Sequence, residues 1–210
     1  MKKLLLITPL IAVTTIANAA NEGYFFFTGP SRTLWENFTP PGNIITAPSG
    51  VEKVAFLFGT GTPLVGTTGT PTNSPAFING WFNILNDPNF SLATDANTGL
   101  QAIGNSGANG TFAYNSANYF PVTGTSPNTT YTVFVIGWDS FFPTPQAAAS
   151  GGSAVGWSKP FSYTPSDVIG LPLTMSASGL TPFGIIIPEP STLSLASLGA
   201  MALTFYRRRK

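Results

Sequence analysis

Apolar and polar positions along the chain change their rhythm three times. Residues 4–16 form one uncharged, mostly apolar run behind Met1, Lys2 and Lys3. From about residue 23 to 176 the apolar residues come in short bursts, separated every few residues by Gly, Pro, Thr and Asn. A second uncharged, mostly apolar run, 193–206, ends in Arg207, Arg208, Arg209 and Lys210. Short apolar bursts between turn formers are the pattern of an all-β domain. They predict strands at 23–28, 43–47, 54–58, 76–85, 111–114, 130–138, 154–163 and 171–176. The strand at 130–138 has Tyr131, Val133 and Val135 on one face and Phe134, Ile136 and Trp138 on the other. Both faces are apolar, so this strand belongs at the centre, covered on both sides. A single β-sandwich, of jelly-roll or Ig-like type, satisfies that. Residues 146–150 predict one helical turn in the connection that follows, and 59–75, rich in Gly, Thr and Pro, predict a loop.

The ends carry signals rather than fold. A basic start, a short apolar stretch and the small-x-small ending Ala17-Asn18-Ala19 make 1–19 a secretory signal peptide, recognised at Ala17 and Ala19 and cut after Ala19 or Ala20. The organisation expected is a signal peptide at 1–19, a β-sandwich domain at 20–180, a stalk at 181–187 and a tail at 188–210. The tail divides into Pro188-Glu189-Pro190-Ser191, an apolar span at 192–206 and a basic stop at 207–210. Prolines on both sides of Glu189 lack backbone N–H groups, so neither helix nor sheet continues through them. The motif stays extended and accessible. A helix over 191–206 rises about 24 Å, short of the roughly 30 Å hydrocarbon core, and snorkelling of Arg207 helps to close the gap. The cluster Arg207–Lys210 stays in the cytoplasm under the positive-inside rule.

This ordered tail resembles the PEP-CTERM sorting signal of Gram-negative bacteria, also known as the ice-binding protein C-terminal domain. The resemblance implies that Pro188, Glu189, Pro190 and Ser191 are recognised by a membrane exosortase that cleaves near them. It also implies a precursor tethered to the inner membrane, then a product on the cell surface or in the extracellular matrix. The processing partners are then signal peptidase and the exosortase, and the membrane itself.

Once the ends are set aside, the charge changes sign. Between residues 21 and 187 there are three cations (Arg32, Lys53, Lys159) against seven anions (Glu22, Glu36, Glu52, Asp87, Asp95, Asp139, Asp167), a net charge of −4. That excludes the basic patch a nucleic-acid partner requires. The chain has no cysteine and no histidine. Disulfides, thiolate catalysis and Cys/His metal centres are thereby excluded, as is the usual serine triad. No cofactor is expected.

Three chemistries remain to be weighed. Asp87, Asn89, Ser91 and Asp95 place oxygen ligands at alternating positions, as in a calcium loop. Leu92 and Thr98 stand where that loop needs Gly and Glu, so turn chemistry accounts for them better. Trp35 and Trp81 are candidate glycan contacts, which would make extracellular polysaccharide a partner. Hydrolysis of a glycan needs two carboxyl groups at a set separation, and the acids are scattered along the chain. A threonine-based ice surface fails on the glycines and prolines that interrupt residues 60–72. The reading is a non-catalytic envelope or matrix protein; a surface carbohydrate-binding module is the alternative, and an unrecognised hydrolase is third.

Overall fold

The computed structural model describes residues 22–38, 41–62, 85–151 and 153–185. The expected signal peptide, residues 76–84 of the strand predicted at 76–85, Trp81, the last two residues of the expected stalk and the tail at 188–210 lie outside the described residues.

The fold is all-β. Thirteen strands run through the described residues: β1 (Gly23–Phe25), β2 (Thr28–Gly29), β3 (Leu34–Phe38), β4 (Pro41–Thr46), β5 (Glu52–Gly59), β6 (Phe90–Leu92), β7 (Gly104–Ser106), β8 (Phe112–Ala113), β9 (Phe120–Val122), β10 (Tyr131–Asp139), β11 (Val155–Trp157), β12 (Phe161–Tyr163) and β13 (Phe183–Ile185). One short helix, α1 (Pro145–Ser150), follows β10. The centre is the antiparallel pair β5–β10, in register from Thr132↔Gly59 to Asp139↔Glu52. Strands β11, β12, β6, β7, β8 and β2 extend this sheet.

Alternation along β5 and β10 separates two apolar layers. On one face Val54, Phe56, Phe58, Tyr131, Val133 and Val135 join the larger core cluster. The pair β1–β9 and the sheet β13–β3–β4 supply that cluster with Phe25, Phe120, Leu34, Phe183 and Ile185. Phe25 stacks between Phe56 and Tyr163, with ring centroids 5.3 and 4.8 Å away. On the other face Leu57, Phe134, Ile136 and Trp138 form a second cluster with Trp157 of β11 and Ala148 of α1. The two apolar faces expected of 130–138 are therefore both covered, one by strands and the other mainly by α1, Phe142 and the segment around Phe90.

Four sequence expectations need correction. Residues 23–28 hold β1 and the start of β2 rather than one strand. Residues 154–163 form two strands rather than one. Pro160 cannot donate to a ladder, and Ser158 takes over at the break: its Oγ accepts the Val135 N–H at 2.9 Å. Residues 171–176 form no strand; the chain is irregular to Thr174 and then turns over 175–179, where Ser178 N–H donates to Thr174 O (3.1 Å) and Leu180 N–H to Met175 O (2.9 Å). The stalk expected at 181–187 is instead core over part of its length. Phe183–Ile185 pairs in parallel with β3, and Phe183 and Ile185 are both fully buried.

Two glycines explain how β13 docks. Gly137 and Gly156 are register partners in β10 and β11, on the core face. A Cβ on Gly137 would strike Ile185, and one on Gly156 would strike the Gly184 carbonyl. The last strand of the domain therefore lies against a strip of bare backbone, an approach only glycine permits.

Candidate functional site

The strands β3 and β4 carry a surface groove of about 680 Å3, lined by Ser31, Arg32, Trp35, Ile45, Thr46 and Asn109. Its construction starts from strand alternation. Leu34 and Glu36 point inward and are fully buried, so Trp35 between them points outward and is only partly covered. Thr46 is its register partner on β4. The rim comes from two turns locked together. Arg32 N–H donates to Asn109 O at 2.7 Å, and Thr33 N–H donates to Gly110 O at 3.1 Å. Thr33 Oγ1 closes the first turn on Pro30 O at 2.7 Å. The Trp35 indole N–H donates to Arg32 O at 2.9 Å, which fixes the ring against the rim.

Both rim residues hold a left-handed backbone, Arg32 at φ 64° and Asn109 at φ 57°. For Asn this is common; for a long side chain such as Arg it is not, and such conformations persist where the surroundings over-determine them. Gly110, at φ 69°, passes so close to the Leu34 carbonyl that no Cβ fits. Trp35 was visible in the sequence as a candidate contact, but the other five lining residues were not singled out. The signals available were the turn formers Gly29-Pro30-Ser31 and the dipeptide Asn109-Gly110.

The remaining candidates fall elsewhere. Asp87 and Asp95 are buried while Asn89 and Ser91 are exposed. Asp87 Oδ1 accepts the Asn89 N–H (3.0 Å) and Asp95 Oδ1 the Asn97 N–H (2.9 Å), both Asx turns. Asp95 Oδ2 also accepts the Tyr114 hydroxyl at 3.0 Å. No three carboxylate, His or Cys side chains converge as a metal site among the described residues. Trp138 and Trp157 are core residues.

The fold does bring acids together that sequence left scattered. Glu52 of β5 is opposite Asp139 of β10, and the charges of Glu36 and Asp139 both act on it. Glu36 and Glu52 are fully buried. Among the described residues neither Glu52 carboxyl oxygen has a hydrogen-bond partner. Burial first, then the charges of Glu36 and Asp139, hold the Glu52 carboxyl well above its ordinary range. Asp139 is engaged: Oδ2 accepts the Ser153 hydroxyl at 2.6 Å and Oδ1 the Phe141 N–H at 2.9 Å. Glu36 and Glu52 are sealed in the core and do not line the groove.

No helix among the described residues is long and apolar enough to cross a membrane, and the expected span at 192–206 lies outside them. The recognition residues Pro188–Ser191 and the basic stop also lie outside them. No curated protein and no solved structure matches the chain. The family model of the PEP-CTERM protein-sorting motif matches residues 187–210, two residues past the end of β13. The chain is therefore an exported protein directed to an exosortase by a PEP-CTERM protein-sorting motif at its C-terminal end.

Proposed function

We propose that this chain is a non-catalytic cell-surface or extracellular-matrix protein. A β-sandwich domain is its working part, and the tail is a temporary anchor. Signal peptidase removes 1–19 or 1–20, the span at 192–206 holds the precursor in the inner membrane, and an exosortase cuts at Pro188-Glu189-Pro190-Ser191. The observation that carries this reading is the position of β13. Among the described residues the last strand ends at Ile185, itself a core residue, and three residues of chain reach at most about 11 Å from there to Pro188. A cut at the motif spares every element of the domain, whereas a cut a few residues earlier would remove part of its core.

The motif itself is the test. In the native host, replacing Pro188, Glu189 and Pro190 together with alanine should leave full-length precursor in the inner-membrane fraction and deplete the released form. Equal release of the variant and the parent protein would overturn the proposal.

A second reading is favoured by the groove: the domain binds carbohydrate at Trp35. An outward indole, fixed by its own hydrogen bond and flanked by Ser, Thr and Asn, offers a flat apolar platform beside neutral hydrogen-bonding groups. β3 runs parallel to β13, so the rim at residues 31–33 lies at the end of that pair opposite the departing tail. A tethered domain would keep this groove clear of the membrane.

A further inference from the structure

Resting on the carbohydrate reading, we infer that the Trp35 groove is built for an acidic saccharide, a polymer carrying carboxylates of the uronate type. The juxtaposition of Trp35 and Arg32 on one fixed rim carries the inference. Arg32 is one of three cations between residues 21 and 187. Lys53 donates to the Phe142 carbonyl at 3.1 Å, on the opposite side of the central sheet, and Lys159 stands apart on the turn between β11 and β12. Arg32 is exposed, and among the described residues its guanidinium has no ion-pair or hydrogen-bond partner. Its planar fork is therefore free to take a carboxylate in bidentate fashion, which a lysine could not do.

Charge sharpens the selectivity. With a net charge of −4 over residues 21–187, the domain as a whole repels a polyanion. An anionic chain would be tolerated only where a cation offsets the field. The groove supplies that cation next to an aromatic face. The rim is pre-set by the Arg32–Asn109 and Thr33–Gly110 bonds, so little ordering is needed on binding. The left-handed conformation at Arg32 is retained by this same bonding, and it presents the side chain from the turn beside the indole.

The experiment titrates the mature protein, residues 21–187, with oligogalacturonate and with neutral cello-oligosaccharide, read by tryptophan fluorescence and calorimetry. The parent protein should prefer the uronate, and added salt should weaken that binding. Arg32→Gln should lose about tenfold in uronate affinity and weaken neutral binding far less; Trp35→Ala should abolish both. Arg32→Gln removes no described contact, so its fold is expected to be intact, and its circular dichroism melt verifies this. Equal binding of both oligosaccharides, insensitive to Arg32→Gln but lost with Trp35→Ala, would overturn the acidic specificity and keep the carbohydrate reading. Binding of neither oligosaccharide by the parent protein would overturn both.

Discussion

Phe183→Ala is expected to destabilise the domain by about 3–5 kcal/mol, the range for removing a buried aromatic ring from a packed core. Phe183 is fully buried and shares the larger core cluster with Leu34, Phe56 and Val133. Its N–H donates to Thr33 O at 2.9 Å, so the same residue ties β13 to the turn that rims the groove. A domain of this size has roughly 5–15 kcal/mol of stability in total, so this one substitution consumes a large part of it. Truncation should act the same way: a chain ending at Pro182 should not fold cooperatively, whereas one ending at Ile187 should. Urea unfolding of the purified domains measures both. A loss under 1 kcal/mol for Phe183→Ala would show that β13 is dispensable, and would return 181–187 to a stalk.

Glu52→Gln is expected to stabilise the domain at alkaline pH and to do little in acid. The sign follows from proton binding. In the native state Glu52 holds its proton to a higher pH than it does in the unfolded chain. Between those two pH values the native state carries more protons, so stability falls as pH rises from about 4.5 through the raised pKa. The causes are burial, then Glu36, then Asp139. Ionising Glu52 would leave a charge in the core among two other acids, with no hydrogen-bond partner among the described residues. Glutamine has the same shape and no charge to develop. At pH 8 the variant should be more stable by about 1–3 kcal/mol, the scale of an unsatisfied buried polar group. At pH 4 the two proteins should melt together. A difference that stays constant from pH 4 to 8 would contradict this account of Glu52.

The residues that were hardest to read in the sequence are the ones where a local rule is broken. β10 was legible because seven of its nine residues are β-branched or aromatic, six of them in one run from Tyr131 to Ile136. β3 was not, because Glu36 occupies an inward position that alternation reserves for an apolar side chain. β13 is three residues long and begins straight after Pro182, so composition reads it as linker; only its pairing with β3 makes it core. The glycines that admit it, Gly137 and Gly156, are 19 residues apart in sequence and become a strip only through the β10–β11 register. The groove was half legible for a related reason. An outward tryptophan is visible in a sequence, but the meeting of the turns at Arg32 and Asn109 is a long-range hydrogen bond. The sorting tail was the easiest to read, since its motif, span and basic end follow one another directly in the chain.

The central claim is that a complete folded domain is exported and then cut from its anchor just beyond β13. Intact-mass measurement of the protein recovered from the native envelope and medium tests it most directly. The predicted mass corresponds to a chain that begins at Ala20 or Asn21 and ends within residues 188–191. A mass that retains 193–210 would contradict the claim and identify a protein that keeps its anchor.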